Sequence, residues 1–199
     1  MKQLVAHDPK TLGGWDIPEH LEAPYVQFYH VRETMRLISS SVVDTAGLSH
    51  INVLLEYLDF SFGAEYEEAN DLFDRGSVNL KHLPKLFRAN DIVVANEYGQ
   101  PRCYNTSLCQ AKGRSVSIGC STWSFDGSFR KIEDHLSVKW LHDDDDEVPI
   151  TSLGVYPLRY DMAGLRDRLL TRGSTSWSCR GRRFISYAPP RRMFEIGPV

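Results

Sequence analysis

Cysteine and histidine are the first side chains to ask about chemistry. Cys103, Cys109, Cys120 and Cys179 are separated by 6, 11 and 59 residues, with no C-x-x-C pair and no H-x₃₋₅-H downstream, so they lack the ligand spacing of a structural zinc site. They are read as small buried hydrophobes. His135 and His142 lie near Glu133, Asp134 and the acidic run Asp143-Asp144-Asp145-Asp146-Glu147. On an extended strand residues seven apart point to opposite faces and stand about 23 Å apart, too far for one ion. The acidic run lacks the D-x-[DN]-x-[DN]-G spacing that shapes a calcium cage. Phosphate chemistry of the P-loop type needs G-x-x-x-x-G-K-[ST], which occurs nowhere, and G-x-G-x-x-G and H-E-x-x-H are also missing. The stretch from Gly113 to Gly119 comes near the nucleophile elbow G-x-S-x-G, but its spacing fails. No catalytic, cofactor-binding or metal-ligating residue is assigned, and no cofactor is expected.

What remains is charge. The formal net charge is −3, yet residues 150–199 carry nine Arg, three acidic residues and no Lys, a surplus of six positive charges against nine negative over residues 1–149. Arginine suits bidentate contact with carboxylate or phosphate. Arg180, Arg182, Arg183, Arg191 and Arg192 are therefore the candidate contacts to a partner or to nucleic acid, with the chain's own acidic run as a competing mate. Trp123, Phe125, Phe129, Trp140 and Trp177, with Arg130 and Lys131 among them, have the composition of a base-stacking surface. Aromatics on alternating strand positions are read instead as core, because each ring buries a large apolar area.

The elements that must position these residues follow from periodicity. Residues 1–24 hold Pro9, Gly13, Gly14, Pro18 and Pro24 and read as an irregular lead-in. From Tyr25 to Val43 the pattern is ambiguous: Tyr25, Phe28, Val31, Met35 and Ile38 suit a helix, and Val42-Val43 a strand. Leu48, Ile51, Leu54, Leu55, Leu58 and Phe62 predict an amphipathic helix with Ser49 as its cap. A second short helix follows through Tyr66, Ala69, Leu72 and Phe73, with Gly76 after its end. A third, from Asn79 through Leu80, Leu83, Leu86 and Phe87, is kinked or cut to a single turn by Pro84. Beyond Asn90 the period becomes that of strands. Residues 91–96, a turn at Tyr98-Gly99-Gln100-Pro101 and a return over 102–109 predict a hairpin. A second hairpin runs from Val116 to Phe125, through a two-residue Asp126-Gly127 turn, to Phe129–Leu141. Residues 150–156 predict a short strand. Asp161 predicts a cap for a helix burying Met162, Leu165, Leu169 and Leu170 and ending at Gly173 in a left-handed cap, and 182–187 a last strand.

The expected architecture is α+β: N-terminal helices, then a twisted antiparallel sheet or small open barrel, with a C-terminal helix packed on it. At 199 residues the chain is long enough for a core without disulfides or metal. A single domain is expected over 25–188, helical over about 25–90 and mainly β over about 91–188, with an extended tail at 189–199. No stretch approaches the roughly 18 apolar residues of a membrane span, and the N-terminus lacks a secretory apolar region. The expectation is a cytoplasmic or nuclear protein that is not secreted and does not engage a membrane.

Four segments carry a family resemblance: Leu86-Phe87-Arg88-Ala89-Asn90-Asp91-Ile92-Val93-Val94, Trp123-Ser124-Phe125-Asp126-Gly127, Leu153-Gly154-Val155-Tyr156-Pro157-Leu158-Arg159-Tyr160 and Leu169-Leu170-Thr171-Arg172-Gly173. In order and spacing they resemble the uncharacterised domain that precedes the ATPase core in fungal AAA-type ATPases, over about residues 30–188. The resemblance implies a non-catalytic accessory or interaction module, whose partner is a protein: the ATPase module or its substrate. In that family the chain continues into the ATPase core. No residue up to Val199 matches the ATP-binding motifs, so hydrolysis is not carried over. The alternative is a nucleic-acid-binding protein that uses the five C-terminal arginines.

Overall fold

A computed structural model describes residues 23–41, 45–126 and 128–178. Helix α1 spans Val26–Ser41 and helix α2 spans Thr45–Asp74. They run antiparallel, since the contacts Arg36–Asp59, Arg32–Glu67 and Tyr29–Asn70 advance in opposite directions along the two helices. The ambiguous segment from Tyr25 resolves as helix because Phe28, Val31, Met35 and Ile38 form one stripe, buried against Leu55 and Leu58 of α2. Val42 and Val43 lie outside the described residues.

The two helices expected between residues 48 and 73 are one helix of 30 residues, about 45 Å long. Gly63 does not break it, because the apolar stripe carries across that position from Phe62 to Tyr66 and Ala69 at helical spacing. The first half of α2 packs on α1. Its second half, through Ala69, Leu72 and Phe73, packs on the sheet. A left-handed Gly76 ends the turn after it.

Strand β1, Ser77–Val78, follows, and then a single helical turn, α3, Leu83–Leu86. Pro84 sits within the first positions of α3, where its missing N–H costs nothing. The remaining strands are β2 Ile92–Glu97, β3 Gln100–Lys112, β4 Ser115–Phe125, β5 Phe129–Lys139, β6 Val148–Pro149 and β7 Val155–Pro157. Five of them form an antiparallel sheet in the order β5-β4-β3-β2-β7, which among the described residues is open at both edges and not closed into a barrel. The other two, β1 and β6, make a separate two-stranded ladder. Helix α4, Leu165–Ser178, completes the described chain.

The β2–β3 hairpin closes through Tyr98 and Gly99, both at positive φ (51° and 76°), between the paired residues Glu97 and Gln100. The β4–β5 connection differs from expectation. Phe125 pairs with Phe129, so three residues, not two, separate the strands. In β3 a bulge between Thr106 and Leu108 admits an extra residue, and a Cβ on Gly119 of β4 would lie 3.1 Å from the Ser107 hydroxyl. The single strand expected over 150–156 is divided: Ile150–Ser152 is a 3-10 turn, and the strand continues through Pro157, which an edge position tolerates.

The sheet core draws on both the helices and the strands. Ala69, Leu72, Phe73, Leu83, Leu86 and Phe87 cover Val93, Ala95, Tyr104, Val116, Ile118, Cys120 and Val138. Trp140 closes one end, and its indole N–H donates to the Asp143 carbonyl at 2.9 Å.

Candidate functional site

Val116, Ile118 and Cys120 of β4 are buried beneath the helices, so the strand alternation turns Trp123 and Phe125 to the opposite face. Phe129, paired with Phe125, follows them, and the two rings lie 4.8 Å apart. Helix α4 meets this face. Its entry is set by Asp161, whose carboxylate accepts the Leu165 N–H at 2.9 Å, and by a left-handed Gly164. Farther along, the Arg172 guanidinium donates to the Pro101 carbonyl at 2.6 Å, and the Trp177 ring lies 4.9 Å from Phe129. Between helix and hairpin runs an open groove of about 730 Å³, walled by Arg102, Trp123, Phe125, Phe129, Leu169, Arg172 and Trp177.

Three sequence expectations change here. The aromatics read as core divide: Trp140 is buried, whereas Trp123 is 65%, Trp177 54% and Phe125 42% exposed. The cause is geometric, since Trp123 and Phe125 lie on the face of β4 opposite the one that α2 and α3 cover. Of the four apolar side chains expected to anchor α4, only Leu165 is buried, and Met162 and Leu170 are exposed. Gly173 lies inside the helix, which continues to Ser178, so the left-handed cap expected there is not formed. The five candidate arginines, Arg180, Arg182, Arg183, Arg191 and Arg192, lie outside the described residues, as do Cys179 and the strand expected over 182–187.

Two arginines, Arg102 and Arg172, line the groove. Arg166, Arg168 and Arg172 of α4 make no ion pair among the described residues, and no acidic side chain lines the groove. Arg102 is held at 3.1 Å by Glu97, which also receives the hydroxyl of buried Tyr104.

A second polar cluster, invisible to periodicity, lies under α2. Lys85, essentially buried, donates to Glu65 at 2.6 Å and to His82 Nδ1 at 3.2 Å. Receiving that proton leaves His82 with its own on Nε2, 3.3 Å from Glu68, which also binds Lys81 at 2.5 Å. Burial depresses the pKa of both Lys85 and His82. The only trace in the sequence is a pair of spacings: Glu65 and Glu68 three apart on α2, Lys81 and Lys85 four apart on α3 and its lead-in. A third cluster joins α1 to α2 and to the end of α3. Arg32 pairs with Glu67 at 2.7 Å beneath the Tyr66 ring, and His30 Nε2 donates to the Phe87 carbonyl at 2.9 Å. Burial pushes the His30 pKa down to about 3. Both clusters tie helices together through paired charges; His82 Nε2 is buried without a hydrogen-bond partner among the described residues, and His30, Arg32, Glu67 and Lys85 line an open cavity of about 690 Å³.

Cys103, Cys109 and Cys120 are free thiols, and burial pushes Cys109 up to about 12 and Cys120 up to about 11, so both stay protonated near neutrality. His135 and His142 are exposed, and the described residues contain no group of three potential metal ligands. Among those residues no helix is long and apolar enough to cross a membrane.

A family model described as a domain of unknown function (DUF7025) matches residues 68–162. The match runs from the last turns of α2 through the whole five-stranded sheet. It includes the hairpin wall of the groove, Arg102, Trp123, Phe125 and Phe129, and stops before α4 supplies the other wall. No curated protein and no solved structure matches the chain.

Proposed function

We propose that the chain is a non-catalytic interaction module, and that its docking surface is the groove between α4 and the β4–β5 hairpin. The observation that carries this reading is the row of half-exposed rings, Trp123, Phe125, Phe129 and Trp177, beside an arginine, Arg172, with no carboxylate partner among the described residues. Aromatic and arginine side chains in a concave site are the usual anchors of recognition. The charge specifies the occupant: an extended segment of a partner protein with apolar or aromatic anchors flanked by Asp or Glu. The resemblance to the module that precedes the ATPase core of fungal AAA-type ATPases supplies the partner class, the ATPase module or its substrate.

The test is a fluorescence titration read from Trp123 and Trp177, with a short synthetic peptide alternating Asp and Phe as probe. The expected result is saturable binding that Trp123→Ala or Arg172→Ala weakens by about 2 kcal/mol each. Binding of equal strength in both variants, or turnover of ATP by the purified chain, overturns the reading.

The second reading is nucleic-acid binding. Rings next to arginines also stack the bases of a single strand, and Arg180, Arg182, Arg183, Arg191 and Arg192 would add phosphate contacts. An oligo-dT arm of the same titration decides it. Affinity for the oligonucleotide that falls steeply with salt, with none for the peptide, favours nucleic acid.

A further inference from the structure

Among the described residues strand β5 is the outermost of the sheet and pairs only with β4. Which of its backbone groups face outward follows from the hairpin before it. Lys112 and Ser115 flank a two-residue turn, so they exchange both N–H···O bonds. Counting alternately along β4 from Ser115, odd-numbered residues address β3 and even-numbered residues address β5. Their β5 mates are Val138, Leu136, Asp134, Ile132 and Arg130. The Cys120 thiol bonded to the Asp134 carbonyl at 3.4 Å fits this phase. Phe129, Lys131, Glu133 and Ser137 therefore present N–H and C=O groups to the open edge, as does the His135 carbonyl, while the His135 N–H donates to the Asp134 carboxylate at 2.7 Å.

Charged side chains on an edge strand normally keep other strands away. Here the charges reverse sign about Ile132: Arg130-Lys131-Ile132-Glu133-Asp134, two positive, one apolar, two negative. Lys131 and Glu133 make no hydrogen bond or ion pair among the described residues, and Ile132 between them is 42% exposed. We propose that β5 pairs antiparallel with β5 of a second copy of this chain, about a twofold axis through Ile132, joining two five-stranded sheets into one of ten strands. In that register Lys131 faces Glu133 of the second copy in a hydrogen-bonded pair, and Arg130 faces Asp134 in a non-bonded pair. The symmetry repeats both, and Ile132 meets its own copy where side chains approach closest. Moving the axis by one residue sets Lys131 or Glu133 against itself, so charge selects a single register.

Sedimentation velocity of the 199-residue chain over a concentration series tests this. A monomer–dimer equilibrium is expected. Lys131→Glu alone, or Glu133→Lys alone, turns two attractions into two repulsions and should raise the dimer dissociation constant roughly tenfold or more. An equimolar mixture of these two variants should dimerise as well as the wild type, because every acid again faces a lysine. Glu133→Pro removes only an outward-facing N–H and should abolish the dimer while thermal melts keep the fold. A chain that is monomeric at every concentration, single variants that dimerise like the wild type, a mixture that stays monomeric, or a dimer that survives Glu133→Pro would each overturn the proposal.

Discussion

Strand β4 passes through two different environments. Over Val116–Cys120 its inward residues lie beneath α2 and α3, beside polar groups that are buried and paired: Lys85 with Glu65 and His82, Thr106 with the turn at residues 88–91. From Thr122 to Phe125 the same strand carries large rings into a groove that, among the described residues, α4 is the one helix to border. The first region concentrates the cost of a bad substitution, because each buried polar group there depends on its mate. The second exposes apolar surface that does little for the fold, and exposed apolar surface of that kind marks a place for something else to bind. Stability and recognition are thus assigned to opposite ends of one hairpin, and substitutions in each end separate them.

The largest effect is expected at Lys85. Lys85→Ala strips a charge partner from Glu65 and a donor from His82 in a nearly dry site. Removing one member of a buried pair costs about 3 kcal/mol, the low end of the usual range because the Glu65 side chain retains 28% exposure. Chemical denaturation should show the loss, and peptide affinity at the groove should not change. If Lys85→Ala weakened binding and left stability intact, the assignment of this end to stability would fail.

Next comes Thr106, fully buried on β3. Its hydroxyl donates to the Arg88 carbonyl at 2.5 Å and accepts the Asp91 N–H at 3.0 Å. Thr106→Val keeps the shape and abandons both groups, for a loss of about 2 kcal/mol. Thr106→Ser, which restores the hydroxyl, should recover most of it.

Acid should act on the covered end as well. His30 is held neutral, with its pKa pushed down from 6.5 to about 3 by burial. Below pH 6.5 the unfolded chain takes up a proton that the folded chain refuses until about pH 3. Stability is therefore complete above pH 6.5 and drains as pH falls through that window, at about 1 kcal/mol per unit. The depressed pKa of His82 adds in the same direction. Urea midpoints at pH 7.5 and pH 5 should diverge in the wild type and draw closer in His30→Gln, which keeps a donor for the Phe87 carbonyl and cannot titrate; His82 sustains the remaining gap.

The contrast between the two ends was only half legible in the sequence. The β2–β3 hairpin announced itself through the β-branched run at residues 92–94 and a Tyr-Gly turn, since both signals are local. Helix α2 reads as two in the sequence because its apolar residues fall into two groups, Leu48 to Phe62 and Tyr66 to Phe73, yet the second group continues the same helix and turns onto the sheet. Alternation along β4 showed that Trp123 and Cys120 lie on opposite faces, but not which face a helix would cover. Periodicity is silent on that point, and so the groove rings were read as core. The Lys85 cluster was hidden for a related reason: charged residues count as solvent-facing in any amphipathic pattern, and only the fold brings residues 65, 82 and 85 together.

The smallest expected effect is the most discriminating. Trp123 is 65% exposed, so Trp123→Ala removes a ring that contributes little packing to the folded state and should change stability by less than about 0.5 kcal/mol. A ring that stands in solvent while Trp140, on the neighbouring strand's end, is buried and hydrogen-bonded has no structural role comparable in size to its area. If the denaturation midpoint of Trp123→Ala falls as far as that of Thr106→Val, the groove is core by another name and the division between the two ends of the hairpin disappears. If the midpoint holds while the peptide titration weakens, exposure and recognition coincide at this one residue.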